Sequence, residues 1–163
     1  MNELSHFDDQ GASRMVDVSD KPISDRLARA EGFVLMRQET LRIIQQKGIS
    51  KGDVLEVARL AGIMATKRTG ELIPLCHSLG LDSALIHFSF PGDSRLRIES
   101  EVRVSGRTGV EIEALTAVSI AALTVYDMCK AIDRAMEIQD IRLTEKLGGR
   151  SGCYLRQPHA GDS

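Results

Sequence analysis

Gly106-Arg-Thr-Gly-Val-Glu-Ile-Glu-Ala-Leu115 runs on through Thr116 to Val125 and closes with Tyr126-Asp-Met-Cys-Lys130. From Ala114 to Val125 the residues are almost all small or apolar, and the ionisable groups stand only at the two ends. Such a run reads as a buried helix, with Glu111 and Glu113 where burial begins and Asp127 and Lys130 where it stops. Fourteen residues separate Glu113 from Asp127, which at ~1.5 Å rise per residue is roughly 21 Å along the axis. No single small-molecule site uses both ends of one helix, so something else must complete each end.

Outward from this helix, two alternating stretches precede it. Ala84, Ile86, Phe88 and Phe90 share one face of the first; Leu96, Ile98, Val102 and Val104 share one face of the second, against Arg97, Glu99, Glu101 and Arg103. With Pro91-Gly-Asp-Ser94 between them they read as an antiparallel hairpin. Further upstream, Asp53 or Ser50 caps a helix carrying Val54, Val57, Ala58, Ala61 and Ala65, expected to stop near Thr69-Gly70 before a short segment ending at Pro74. Gln38 to Lys47 reads as a short amphipathic helix on Leu41 and Ile44, stopped by Gly48. Arg26 to Met36 is ambiguous; Phe33-Val-Leu-Met36 favours a strand, and a strand is the preferred reading. Met15 to Ser19 alternates and is expected to form a short strand. Glu137 to Leu143 is expected to form the last one.

Residues 1–13 have tail composition, and 144–163 read as a glycine-rich, basic, mobile tail. The organisation expected is an N-terminal tail 1–13, one catalytic domain 14–152 and a C-terminal tail 153–163. The order of elements predicts an α+β fold, an open antiparallel sheet with two long helices packed on one face.

The chain has 163 residues, long enough for a single substantial core, and 42% are hydrophobic without any Trp. Its 21 basic and 23 acidic residues leave a net charge of -2, which excludes a general electrostatic grip on nucleic acid. Three cysteines without close spacing read as reduced thiols. No signal peptide or membrane-spanning run is evident, the central helix falling short through its polar residues, so a soluble cytoplasmic protein is expected.

The groups able to carry chemistry each have a structural alternative. Lys51 beside Gly52 reads as a surface lysine on position alone. Lys130 has Asp127 at i−3, and reads equally as a lysine with a lowered pKa for acid–base work or as a helix-end cation. Glu111 and Glu113 share a face only if extended; on a helix they diverge by about 200°. His77, after Pro74 and beside Cys76, suits a proton donor or phosphate contact better than zinc, since no second ligand stands close. Leu147-Gly-Gly-Arg-Ser-Gly152 lacks the Walker pattern, but its free amides with Lys146 and Arg150 suit a flap over phosphate, to which Arg26 and Lys21 would add charge. Pairing the central helix with its own copy across a two-fold axis would bring Glu113 of one chain near Asp127 and Lys130 of another, the small residues Ala114, Ala117, Ser119, Ala121 and Ala122 permitting close approach.

Lys51-Gly-Asp53, Ala61-Gly-Ile-Met-Ala65 to Lys67-Arg-Thr69, Leu72-Ile-Pro-Leu-Cys-His77, Thr108-Gly-Val-Glu-Ile-Glu-Ala-Leu-Thr116 and Tyr126-Asp-Met-Cys-Lys130 together resemble the cyclic pyranopterin monophosphate synthases (MoaC) of molybdenum cofactor biosynthesis. The resemblance spans nearly the whole chain. It implies a ferredoxin-like fold, a homohexamer built as a trimer of dimers, and active sites at the dimer interface. It implies rearrangement of a GTP-derived 3′,8-cyclised nucleoside triphosphate into cyclic pyranopterin monophosphate with release of pyrophosphate. By matching position, Lys51 and Lys130 would be the acid–base pair and Asp127 their catalytic neighbour. Leu75, Cys76 and His77 would bind substrate from one loop, Ile112 and Glu113 from another, with Glu111 beside them. Arg26, Lys21, Lys146 and Arg150 would stand near the triphosphate. No cofactor is implied as required, although a magnesium ion can accompany the triphosphate; neither nucleic acid nor membrane is an expected partner. The chain departs from the family in Ile112 (usually Met), Ser78 (commonly Pro) and Lys-Leu-Gly-Gly-Arg150 (usually Lys-Ser-Gly-Gly-Lys). A non-catalytic nucleotide-binding oligomer is the competing reading, since fold alone does not fix function.

Overall fold

The computed structural model describes residues 6–46, 53–149 and 152–157. The elements follow as β1 (Ser24–Leu35), α1 (Gln38–Gln45), α2 (Val54–Thr66), α3 (Thr69–Leu72), β2 (Ser83–Ser89), β3 (Arg95–Gly106), α4 (Glu111–Cys129), β4 (Glu137–Leu147) and β5 (Tyr154–Leu155). The five strands form one open sheet in the order β2-β3-β1-β4-β5, antiparallel throughout. Leaving β5 aside, this is the split βαβ order of a ferredoxin-like α+β fold.

The expected hairpin is present, Ala84 opposite Val102 and Phe88 opposite Ile98. Leu96, Ile98, Val102 and Val104 all point into the core. The intervening charges make cross-strand pairs on the other face, which is why alternation survives there. The Glu31 carboxylate accepts from Arg97 Nε at 2.9 Å and Arg142 Nε at 2.8 Å. Arg29 Nη2 stands 2.6 Å from Glu101.

β1 resolves the ambiguous stretch as a strand. Ala28, Ala30 and Val34 are buried with the helices, and Glu31 and Phe33 are buried as well. Apolar residues on both sides of a central strand mask its period of two. Gly32 sits at a register shift between β1 and β4, and a Cβ there would lie 2.7 Å from Val118 in α4. The glycine is what lets α4 approach the sheet.

α4 contacts β1, β3 and β4 and packs along α2. Ala114, Ala117, Ala121 and Ala122 are fully buried within this one chain, and a Cβ on Gly62 of α2 would lie 2.9 Å from the Ala117 carbonyl oxygen. The small-residue seam therefore serves the α2–α4 contact, and the expected use of these alanines in pairing α4 with its own copy is corrected. By length and composition alone α4 does match a membrane span, contrary to the sequence expectation; here it is the core helix, with nine residues from Glu113 to Cys129 buried.

Other boundaries also differ from expectation. α2 is capped by Asp53, whose Oδ1 accepts from Leu55 N at 3.0 Å, and it ends at Thr66, earlier than expected. The alternative cap Ser50, the stop at Gly48 and the residue Lys51 lie outside the described residues. Met15 to Ser19 forms no strand; its Val16 carbonyl is bonded to a side chain instead of a ladder partner. Thr144 to Leu147, read as tail, continues β4, and Tyr154 pairs with Lys146.

Candidate active site

Two adjoining cavities lie at the N-terminal end of α4. The larger, about 550 Å³, is lined by Lys21, Arg26, Arg107, Lys146 and Glu111 among others; the smaller, about 300 Å³, is lined by residues 73–77, His6, Ile112 and Glu113. Thr108, Gly109 and Glu111 belong to both walls, so one ligand can occupy the two together.

The larger cavity is basic, with four cations and one carboxylate among its described lining residues. Arg26 is fixed by its Nε, which donates to the Gly106 carbonyl at 2.9 Å, and by its Nη2, which donates to that of Arg107 at 3.2 Å. Both acceptors are neutral, so the guanidinium keeps its charge for a ligand. Gly149 borders it with φ +78, and a Cβ there would lie 2.2 Å from Arg26 Nη1. Lys146 Nζ lies 2.5 Å from Glu111 Oε1. Arg150 lies outside the described residues.

The smaller cavity has a different chemistry. α4 begins at Glu111, so Glu111 and Glu113 sit in its first turn and point apart, as the helical alternative required. Glu113 is 2% exposed, and the Cys76 thiol donates towards its Oε1 across 3.9 Å. Burial pushes the Glu113 carboxyl above its ordinary value, and the nearby Glu111 charge adds to the effect. Burial likewise raises the Cys76 thiol, with the Glu113 charge second. Leu75 has φ 64, a left-handed conformation that a branched side chain adopts only when its surroundings hold it there. His77 Nε2 donates to the Val16 carbonyl at 2.8 Å. The contact ties the loop to the segment that leads into Lys21.

Asp127 and Lys130 are at the other end of α4 and line neither cavity of their own chain. Lys130 Nζ donates to Asp127 Oδ1 at 2.6 Å, and both side chains are more than half exposed. Hydrogen bonding to Asp127, then its charge, raises the Lys130 pKa in the single chain. The lowered value considered for acid–base work is therefore absent here, because nothing buries the amine. Behind this end, buried Asp133 holds the chain in place. Its Oδ2 accepts from Arg37 N at 2.9 Å and from Thr40 Oγ1 at 3.1 Å, and the Arg37 N–H is the first cause of its lowered pKa.

The structure thus gathers Leu75, Cys76, His77, Ile112, Glu113 and Glu111 around one cavity and Lys21, Arg26 and Lys146 around its neighbour. Sequence reading missed Arg107, Thr108, Gly109 and His6. Arg107 and Gly109 stand just before the first turn of a helix, a place where anions bind, and that position was a usable signal. Among the described residues no group of three or more His, Cys, Asp or Glu side chains is placed to hold a metal ion.

The sequence model of the MoaC family matches residues 15–149, which include every cavity-lining residue named above except His6. The chain belongs to the MoaC family. Among curated relatives, it is 60% identical to Cyclic pyranopterin monophosphate synthase 3 of Mycobacterium tuberculosis (strain ATCC 25618 / H37Rv) over 153 residues, 94% of this chain and 86% of the relative. Cyclic pyranopterin monophosphate synthase 1 of the same strain is 58% identical, with 94% and 90% covered. Cyclic pyranopterin monophosphate synthase of Heliobacterium modesticaldum (strain ATCC 51547 / Ice1) is 58% identical over 158 residues, 96% of this chain and 99% of that one.

Proposed function

We propose that this protein is a cyclic pyranopterin monophosphate synthase of molybdenum cofactor biosynthesis, a lyase acting in the cytoplasm. Its substrate is (8S)-3′,8-cyclo-7,8-dihydroguanosine 5′-triphosphate, and its products are cyclic pyranopterin monophosphate and pyrophosphate. The observation that carries this reading is the pair of adjoining cavities with a common wall. A basic compartment fits the triphosphate, and a compartment with a buried carboxyl and apolar lining fits the purine-derived ring.

The roles combine the chemistry of the two cavities with the resemblance to the MoaC family, which alone supplies those of Lys51, Lys130 and Asp127. Lys21, Arg26 and Lys146, joined by Arg107, hold the phosphates and stabilise charge as a ribose hydroxyl attacks the α-phosphorus and pyrophosphate leaves. Leu75, Cys76, His77, Ile112 and Glu113, with Glu111 at the shared wall, bind the remainder. Opening and rebuilding the purine ring needs several proton transfers, for which Lys51, Lys130 and Asp127 are the acid–base groups. A magnesium ion accompanying the triphosphate is compatible with these roles, and no further cofactor is needed.

Asp127 and Lys130 stand roughly 21 Å or more along α4 from Glu113, so a partner copy must supply them. Exposed Val57, Leu60 and Met64 on α2 and Leu123 on α4 offer apolar surface for that contact. The assembly is read as a homohexamer of three dimers with the site at the dimer interface. Burial there would also remove water from Lys130 and offset the upward shift that Asp127 causes in the single chain.

The test is pyrophosphate release from the purified cyclised intermediate, with Asp127→Asn as control. Release coupled one-to-one to pterin formation, lost in the variant, is expected. Tight binding without release would instead identify a nucleotide-binding regulator.

A further inference from the structure

Lys146 in β4 and Glu111 in the first turn of α4 meet within the basic cavity, Nζ 2.5 Å from Oε1, each side chain only about a quarter exposed at 23% and 25%. The carboxylate is packed against Gly109, where a Cβ would lie 1.9 Å from Glu111 Oε2. Any other residue at 109 would push the carboxylate away. Arg26, by contrast, is held by neutral carbonyl oxygens and keeps its charge. In the ligand-free protein, then, an internal anion already occupies Lys146. A polyphosphate entering the cavity has to displace it, since phosphate beside the Glu111 carboxylate is a like-charge contact.

We propose that Glu111 is a built-in competing anion. It masks Lys146 in the free protein, yields it to a bound polyphosphate, and takes it back as pyrophosphate leaves. The proposal rests on the reading of this cavity as the polyphosphate site. To the place of Glu111 at the shared wall it adds control of phosphate affinity and product release. The cost is a weaker grip on the ground state; the gain is a product that does not stay bound.

The experiment is calorimetric titration of inorganic pyrophosphate into the full-length wild type, Glu111→Gln, Lys146→Ala and the double variant, each checked for folding by thermal melting. Glu111→Ala serves as a second variant with the same expectation. Glu111→Gln should bind pyrophosphate about two- to fivefold more tightly, the upper part of the range for losing a partly screened ion-pair competitor. Lys146→Ala should bind it more weakly, and most of the gain from Glu111→Gln should vanish in the Lys146→Ala background. In turnover, Glu111→Gln should show slower pyrophosphate departure. Unchanged or weaker pyrophosphate binding by Glu111→Gln and Glu111→Ala, with Lys146→Ala still weakened, would overturn the competing-anion role alone. If Lys146→Ala binds pyrophosphate as well as the wild type does, the polyphosphate reading of the cavity fails, and this proposal falls with it.

Discussion

The Cys76 thiol and the Glu113 carboxyl meet in the wall of the smaller cavity, 3.9 Å apart, with no Lys or Arg among the described lining residues. A 2% exposed carboxyl whose best side-chain donor is a thiol is poorly compensated for burial. The ligand is what would supply the missing donors.

The Glu113 carboxyl has a folded-state pKa above the ordinary 4.5, so the native state binds the proton more tightly than the unfolded one. Ionising it therefore costs stability as pH rises from 4.5 towards the folded value. Glu113→Gln should melt at the same temperature as the wild type at a pH below 4.5 and at a higher one at neutral pH. Thermal melts across that range check it. The same variant should lose ligand affinity, since stability gained at a binding group usually costs function.

Asp133 has the opposite sign. Its pKa is held below the ordinary 3.8, so its contribution is present above that value and is lost as pH falls through the folded one. Asp133→Ala removes the acceptor for Arg37 N, Thr40 Oγ1 and Ala135 N, and should destabilise by roughly 1–3 kcal/mol at neutral pH. The gap to the wild type should close in acid. Urea unfolding at several pH values measures both statements.

His77 donates Nε2–H to Val16 and thereby secures the segment that carries Lys21 into the basic cavity. His77→Gln keeps an N–H near that position, and His77→Ala does not. Trypsin should cut after exposed Arg14 several-fold faster in His77→Ala than in the wild type, with His77→Gln close to the wild type. In turnover, His77→Ala should raise KM more than it lowers kcat, with partial rescue in His77→Gln.

Which of these features the sequence disclosed depends on how local their cause is. The β2–β3 hairpin was legible because a period-two alternation determines its strands, and α4 because its apolar run is uninterrupted and bounded by charges. β1 resisted because Glu31 and Phe33 are buried on the face opposite Ala30 and Val34. β4 was cut short because Glu145 and Lys146 look solvated until Arg29 and Glu111 are brought to them from distant parts of the chain. The site showed the same division. Ionisable residues in Leu75-Cys-His77 and at the ends of α4 stood out by type, whereas Thr108 and Gly109 matter through their position between two cavities. Asp133 gave no local sign, because its partners Arg37 and Thr40 are more than ninety residues away.

In the proposed dimer one site takes Glu113 from one chain and Asp127 with Lys130 from another. The most direct measurement refolds Glu113→Ala chains with Lys130→Ala chains in equal amounts and assays pyrophosphate release from the cyclised intermediate. Each mixed dimer would hold one intact site and one doubly defective site. Random mixing should therefore restore about a quarter of wild-type activity from two inactive proteins. Mixed dimers verified by mass that remain as inactive as their parents would contradict it.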